Sequence, residues 1–272
     1  MKGHPSMRSV LFNAYYWVLS IFYGLSAAFA ALAPGRQAVT FTLRLYSRRM
    51  LWALDALAGV KVQVKGQENL PAGACIIAAK HHSWGDGFVM FAHVDNLSFV
   101  TGDHLEKFPL VGTILKKFGA IVVDSCGGPE AREALSKSAA QVAAEGRRIL
   151  IYPEGHLAAP GEHFRYRTGV YYMSKDFGLP VVPVATNLGC FWQQTEKTKT
   201  PGMAIIEFLP ALPQGLEKDD FMKLMQATIE GRTNELIAQA HGEAVKPSVL
   251  VEWDGKKNVP ATAQPAAACL LP

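Results

Sequence analysis

One stretch, AAKHHSWGDGF at residues 78–88, gathers the side chains best suited to chemistry. His81 and Asp86 stand there with four residues between them, beside Gly85 and Gly87, which permit tight backbone geometry. In a turn that runs into a helix, this spacing brings a carboxylate to an imidazole. An aspartate accepting from one ring nitrogen fixes the tautomer and leaves the other nitrogen as a general base towards a hydroxyl or a water. A metal site is the other chemistry open to these residue types, with His81, His82, Asp86 and His93 as ligands. Adjacent histidines in extended chain point to opposite sides. Neither an H-E-x-x-H pattern nor a close cysteine pair accompanies them, so no metal is expected. The chain has no G-x-S-x-G and no Walker loop, which sets aside nucleophile-elbow hydrolases and P-loop enzymes.

Three further segments carry chemistry-bearing residues. In ILIYPEGHLAAPGE, residues 149–162, a strand ends at Tyr152 and Pro153-Glu154-Gly155 follows, placing Glu154 to bond an acceptor hydroxyl or to hold a loop. In TGDHLEKFPLVGTILKKFGAIVVDS, Phe108-Pro109 and Gly112 shape a turn and Asp124 ends a strand. In LPVVPVATN, residues 179–187, Pro183 removes a ladder donor, which predicts a bulge or an edge strand.

The elements that must hold these residues alternate in type. Apolar runs at 75–79, 97–101, 120–124, 148–152, 180–186 and 204–209 read as strands. Helical patterns at 104–119, 129–146, 169–178 and 216–242 lie between and after them; the second has Pro129 near its start and Gly146 at its end. Strands alternating with helices predict an α/β fold with a mostly parallel central sheet flanked by helices. Such sheets place their sites beyond strand C-terminal ends, where His81 falls.

The N-terminal region differs in composition. SVLFNAYYWVLSIFYGLSAAFAALAPG, residues 9–35, has no charged residue and is long enough to span a bilayer. Residues 38–58 read as a second helix, suited either to the headgroup boundary or to ordinary packing. Lys2 and Arg8 precede the apolar segment, and Arg36, Arg44, Arg48 and Arg49 follow it, which by the positive-inside rule puts the main domain in the cytoplasm. The whole chain is 49% hydrophobic with a formal charge of +4, and its mean hydropathy is +0.10. That mild basic excess suits an anionic surface. The scattered basic residues do not form the aromatic-studded face that nucleic-acid binding needs. Cys75, Cys126, Cys190 and Cys269 are too dispersed for a disulfide framework or a zinc ribbon.

Taken in order, the motifs resemble those of the glycerolipid acyltransferase family, typified by bacterial 1-acylglycerol-3-phosphate acyltransferases. KHHSWGD looks like the first block, LEKFPLVGTILKKFGAIVVDS the second, YPEG the third and LPVVPVATN the fourth, with a similar downstream stretch at 187–216. The resemblance covers roughly residues 58 to 240. It divides the chain into a membrane-anchoring helical region at 1–58, an acyltransferase domain at 59–246 and a loose tail at 247–272. It implies transfer of an acyl group from acyl-CoA or acyl carrier protein to a lysolipid hydroxyl, with His81 and Asp86 catalytic and no further cofactor. Glu154, Gly155, His156, Arg165 and Arg167 would form the acceptor site. It also implies a location at the bacterial inner membrane.

Three positions depart from the family pattern. Gly102 and His104 stand where the second block usually carries a basic residue, Ser125 follows Asp124 in place of arginine, and His156-Leu157 replace the usual Thr-Arg. A dianionic phosphate wants Arg or Lys partners. Arg165, Arg167, Lys116, Lys117 and His156 are the candidates to supply them. The alternatives are a phosphate-free lysolipid acceptor such as lyso-ornithine lipid, a non-catalytic lipid-binding protein of the same fold, and a hydrolase of the same thioesters.

Overall fold

A computed structural model describes residues 6–123, 129–193 and 198–252. Asp124, Ser125, Cys126 and Cys269 lie outside the described residues. The sheet consists of β1 (Val60–Lys65), β2 (Ile76–Ala79), β3 (Leu97–Gly102), β4 (Ile121–Val123), β5 (Arg148–Ile151), β7 (Val181–Thr186) and β8 (Gly202–Phe208). A separate pair joins β6 (Glu162–His163) to β9 (Val249–Leu250). Strand order in the large sheet is β1-β8-β7-β2-β5-β3-β4. From β7 to β4 every pairing is parallel. β8 runs antiparallel to β7, and β1 runs parallel to β8. The α/β, mostly parallel architecture is therefore present. β1, absent from the apolar-run reading, is an edge strand with sequence VKVQVK that alternates in burial.

The helices are α1 (Met7–Ala30), α2 (Gln37–Ala56), α3 (Gly85–His93), α4 (Pro109–Phe118), α5 (Pro129–Ala144), α6 (Gly169–Phe177) and α7 (Lys218–His241). α4 is shorter than its pattern predicts. Pro109 occupies its first turn, where a missing N–H costs nothing, and residues 103–105 form a separate 3-10 turn.

Side-chain alternation along the strands sorts the core into two layers. Ile77, Leu150, Val182 and Val184 pack with Phe12 of α1, Met50 and Leu54 of α2 and Val89 of α3. Ile76, Ala78, Ile149 and Val181 pack on the other face with Val142 of α5, Val170 of α6 and Met225 and Ile229 of α7. Both faces of β2 and β7 are covered, so every residue of each is buried, the expected state of interior parallel strands. Pro183 lies in interior β7, not at an edge. The antiparallel ladder with β8 begins at Val184, and the Pro183 carbonyl accepts from Leu209 N–H just past the end of β8. The missing donor therefore falls where the ladder stops.

α1 and α2 form a hairpin laid against the α3 side of the domain. Tyr16 and Tyr46 both meet the Phe88 ring edge-on, and Phe12 meets Trp192 likewise at 5.1 Å. The Lys199 ammonium lies 5.6 Å over the Phe12 and Trp192 rings. By length and composition α1 could cross a membrane, yet one side of it is bound to the domain. Its other side exposes Trp17, Val18, Ile21, Phe22, Leu25 and Phe29, each more than half accessible. At the other terminus the chain is held further than the expected tail boundary. The Ser248 hydroxyl donates to Glu230 at 2.7 Å and Val251 N–H donates to the His163 carbonyl.

Candidate active site

β2 lies between β7 and β5, and the chain leaves its C-terminal end for α3 and β3, passing over β5. β5 later returns on one side of β2 and β7 on the other. Strand order reverses here, the position at which open α/β sheets place their sites beyond the strand C-termini. The adjacent ends deliver Lys80 and His81 from β2, Tyr152 to Glu154 from β5, and Asn187 from β7. Asn187 is structural: it donates to the Leu236 carbonyl and accepts from Ile205 N–H.

His81 Nδ1 lies 3.0 Å from Asp86 Oδ2. That oxygen also accepts the backbone N–H groups of His82 and Ser83, both at 2.8 Å. Asp86 thus ties the turn together and holds the imidazole. A proton on Nδ1 satisfies the contact and leaves the Nε2 lone pair free to take a proton. The Ser83 hydroxyl accepts from Gly85 N–H at 3.0 Å. A Cβ at Gly85 would sit 2.8 Å from both Leu188 and Trp192, so only glycine lets α3 start this close to the segment after β7. His82 is buried, and burial, then the charges of Lys80 and His81, push its pKa well below the ordinary value. It is a neutral packing residue, not a second base. Among the described residues no cluster of three or more His, Cys, Asp or Glu has metal-holding geometry.

Tyr152 stacks on His81 with ring centroids 3.8 Å apart. Two residues on, Glu154 is buried and faces inward. Its Oε2 accepts from Lys80 Nζ at 3.0 Å and from Phe164 N–H at 2.8 Å. Lys80 Nζ also donates to Glu230 Oε1 at 2.7 Å and to the Glu162 carbonyl at 2.9 Å, using all three ammonium protons. The Tyr166 hydroxyl donates to Glu230 as well. One ammonium thus serves two carboxylates. Burial, with the charge of Glu230, outweighs Lys80 and raises the Glu154 pKa to about 7. Glu154, expected at the acceptor site, is placed by the structure inside this network, where its carboxylate braces the loop.

The turn after Glu154 does open towards His81. Gly155 has φ +71°, and a Cβ there would meet the Arg167 guanidinium at 2.9 Å. Arg167 therefore rests on this turn, anchored by its backbone N–H to the Pro153 carbonyl at 2.8 Å. Burial, then the charges of Arg167 and His81, lower the His156 pKa to about 4. His81, Asp86, Gly155, His156 and Arg167 are brought together. Arg165 is exposed two residues before Arg167, and Lys116 and Lys117 sit in the last turn of α4; among the described residues no hydrogen bond or ion pair joins these three to the His81 cluster. Lys80, Tyr152, Tyr166, Glu230 and Ser248 were not singled out from sequence. A lysine directly after the apolar run CIIAA was the available signal for the first, since an ammonium buried at a strand end needs carboxylates.

With this geometry in view, the comparisons with known proteins are specific. Residues 61–187, which contain β2, the His81 turn and the Glu154 turn, match the family model described as Acyltransferase. A 1-acyl-sn-glycerol-3-phosphate acyltransferase of Pseudomonas aeruginosa is 29% identical over 213 residues, 78% of this chain and 83% of that protein. One from Saccharomyces cerevisiae is 23% identical over 234 residues, covering 84% and 77% of the two chains. Among solved structures, the 1-acyl-sn-glycerophosphate (LPA) acyltransferase PlsC from Thermotoga maritima shares the fold with a TM-score of 0.69 and 21% identity, over 85% of this chain and 97% of that one. The matched region is the one that carries the His-Asp turn, and the family model and the curated relatives together mark the chain as an acyltransferase similar to the 1-acyl-sn-glycerol-3-phosphate acyltransferases.

Proposed function

We propose that the protein acylates 1-acylglycerol-3-phosphate, using acyl-CoA or acyl carrier protein as donor, to give phosphatidic acid. The observation that carries this is the His81–Asp86 pair at the C-terminal end of β2, with Nε2 left as acceptor. Nε2 takes the proton of the acceptor hydroxyl, whose oxygen attacks the thioester carbonyl. The new C–O bond forms, the C–S bond breaks, and the imidazolium returns the proton to the departing thiolate. Asp86 orients the ring and balances its transient charge. The substrate's own hydroxyl is the nucleophile, so no acyl-enzyme is needed. Arg167, which rests on the Gly155 turn, supplies the guanidinium for the acceptor phosphate in this reading, and the neutral His156 offers a hydrogen bond.

The exposed side of α1, with Phe41 and Trp52 of α2, supports contact with the bilayer where lysolipid and product reside. The basic residues that follow α1 support a catalytic domain on the cytoplasmic side of a bacterial inner membrane. The test is transfer of labelled acyl groups to a panel of lysolipids, wild type against His81→Ala. Transfer to 1-acylglycerol-3-phosphate that depends on His81 is expected; equal activity in both proteins would sink the mechanism. A second reading, a phosphate-free acceptor, is favoured by Gly102, His104 and Leu157 at positions where the family is usually basic. Turnover only with acceptors lacking a phosphate monoester would select it.

A further inference from the structure

The Tyr152 ring lies flat on the His81 imidazole, with centroids 3.8 Å apart and planes 15° from parallel. The reaction described above makes no use of this contact. The Tyr152 hydroxyl is buried and makes no hydrogen bond among the described residues. Burial, then the nearby Asp86 charge, pushes the phenol pKa well above its ordinary value, so the ring stays neutral. A buried hydroxyl without a partner costs stability, and the stack is present in spite of it.

The face of a phenol ring carries negative potential and attracts a cation held above it. A neutral imidazole gains little from that face, whereas an imidazolium gains more. His81 becomes an imidazolium only as it takes the acceptor's proton. The attraction therefore grows along the reaction, the condition for lowering a barrier and not merely tightening binding. The groups around His81 divide by sign. Asp86 of α3 and the Tyr152 face favour the positive ring. Lys80 beside it in the chain and Arg167 on the turn after β5 oppose it, and His82 and His156 are neutral.

The geometry points to Tyr152 as a positioning residue that fixes the plane of the His81 ring and stabilises the imidazolium formed during acyl transfer. This rests on the reading of His81 as the base.

The test replaces Tyr152 with Leu, with Phe, and with phenylalanines bearing one, two or three ring fluorines, which keep the shape while weakening the negative face. Measured are kcat, the KM of each substrate, and the His81 pKa by NMR of histidine-labelled protein, assigned with His81→Asn. Tyr152→Leu is expected to lower kcat roughly 3- to 30-fold with both KM values unchanged. Tyr152→Phe recovers most of that loss, and fluorination lowers kcat and the His81 pKa step by step. A flat fluorinated series, or a Phe variant as impaired as the Leu variant, overturns the proposal. The fluorinated series remains decisive if the Leu variant does not fold. The NMR arm requires no turnover. A wild-type protein that transferred no acyl group would therefore sink the reaction, while the titration alone still decided for or against the stack.

Discussion

Lys80 and His81 are consecutive in the chain, and their side chains leave opposite faces of the sheet. Lys80 reaches Glu230 on α7, whereas His81 reaches Asp86 on α3. Period-two alternation beyond the end of β2 thus gives one residue to a buried charge network and the next to the pairing with Asp86.

Replacing Lys80 with Met should be severely destabilising. It leaves Glu154 and Glu230 buried without their shared cation, a loss of about 3–5 kcal/mol for a broken buried pair. For a domain of this size that lowers Tm by roughly 6–20 °C. Urea and thermal unfolding measure it, and a change below about 1 kcal/mol would contradict the network's role.

Glu154 makes stability depend on pH with a defined sign. Its folded pKa is raised to about 7 from the ordinary carboxylate value of 4.5. Between those values the folded state binds more protons than the unfolded one, so stability falls as pH rises. The contribution is complete below about pH 4.5, lost through pH 7, and amounts to ~3 kcal/mol at most. Glu154→Gln cannot titrate. Relative to wild type it should gain stability between pH 5 and pH 8, read from Tm across that range; parallel pH curves would exclude the shift.

Asp86→Asn keeps an oxygen for the His82 and Ser83 N–H groups but loses the charge that supports imidazolium. The expected loss in kcat is about 10²- to 10⁴-fold, with little change in either KM. Steady-state kinetics on a variant shown by circular dichroism to be folded provides the check. A loss under tenfold would mean that Asp86 serves only the turn.

Arg167→Ala should raise the KM for 1-acylglycerol-3-phosphate about tenfold, the worth of one hydrogen bond to a charged group. The donor KM should stay put. The His156 pKa near 4 keeps that ring neutral at working pH, so acceptor KM should not follow a histidine titration between pH 6 and pH 8. A KM titration in that range that His156→Gln abolished would place a protonated His156 on the phosphate, since the phosphate's own ionisation persists in that variant.

On α1, the triple variant Val18→Asp, Phe22→Asp, Leu25→Asp alters only exposed side chains, so unfolding should be nearly unaffected. Membrane contact should collapse, because burying each apolar side chain is worth about 1.5–3 kcal/mol. Sedimentation with vesicles is the measurement, and unchanged partition would remove this face from the membrane.

The His81 turn was legible because its chemistry is local. Five positions of chain and two glycines are enough to predict the contact, and the preceding apolar run marks the strand end. Glu154 leaves two roles open in the sequence, an acceptor contact or a braced loop, for the opposite reason. Its partners Lys80 and Glu230 stand 74 and 76 residues away, and the turn gives no sign that the carboxylate faces inward. Tyr152 looked like a strand terminus, since nothing local announces that β5 will lie beside β2. Strand β1 does carry a signal, since VKVQVK alternates with period two, but its lysines break the continuous apolar run that marks the other strands. Pro183 was read by a sound rule, yet whether a neighbouring ladder ends at a given residue is a property of the partner strand.

The Ser248–Glu230 hydrogen bond has a consequence for the order in which the chain is made. The charge set around Lys80 draws on residues 80, 154, 162, 166, 230 and 248. During synthesis, α1 emerges from the ribosome long before the last of these. The apolar helix is thus exposed while the set around Lys80 still lacks its closing contact, which forms only once Ser248 has been made. If the exposed side of α1 meets a bilayer as proposed, that order favours docking first and folding shut afterwards.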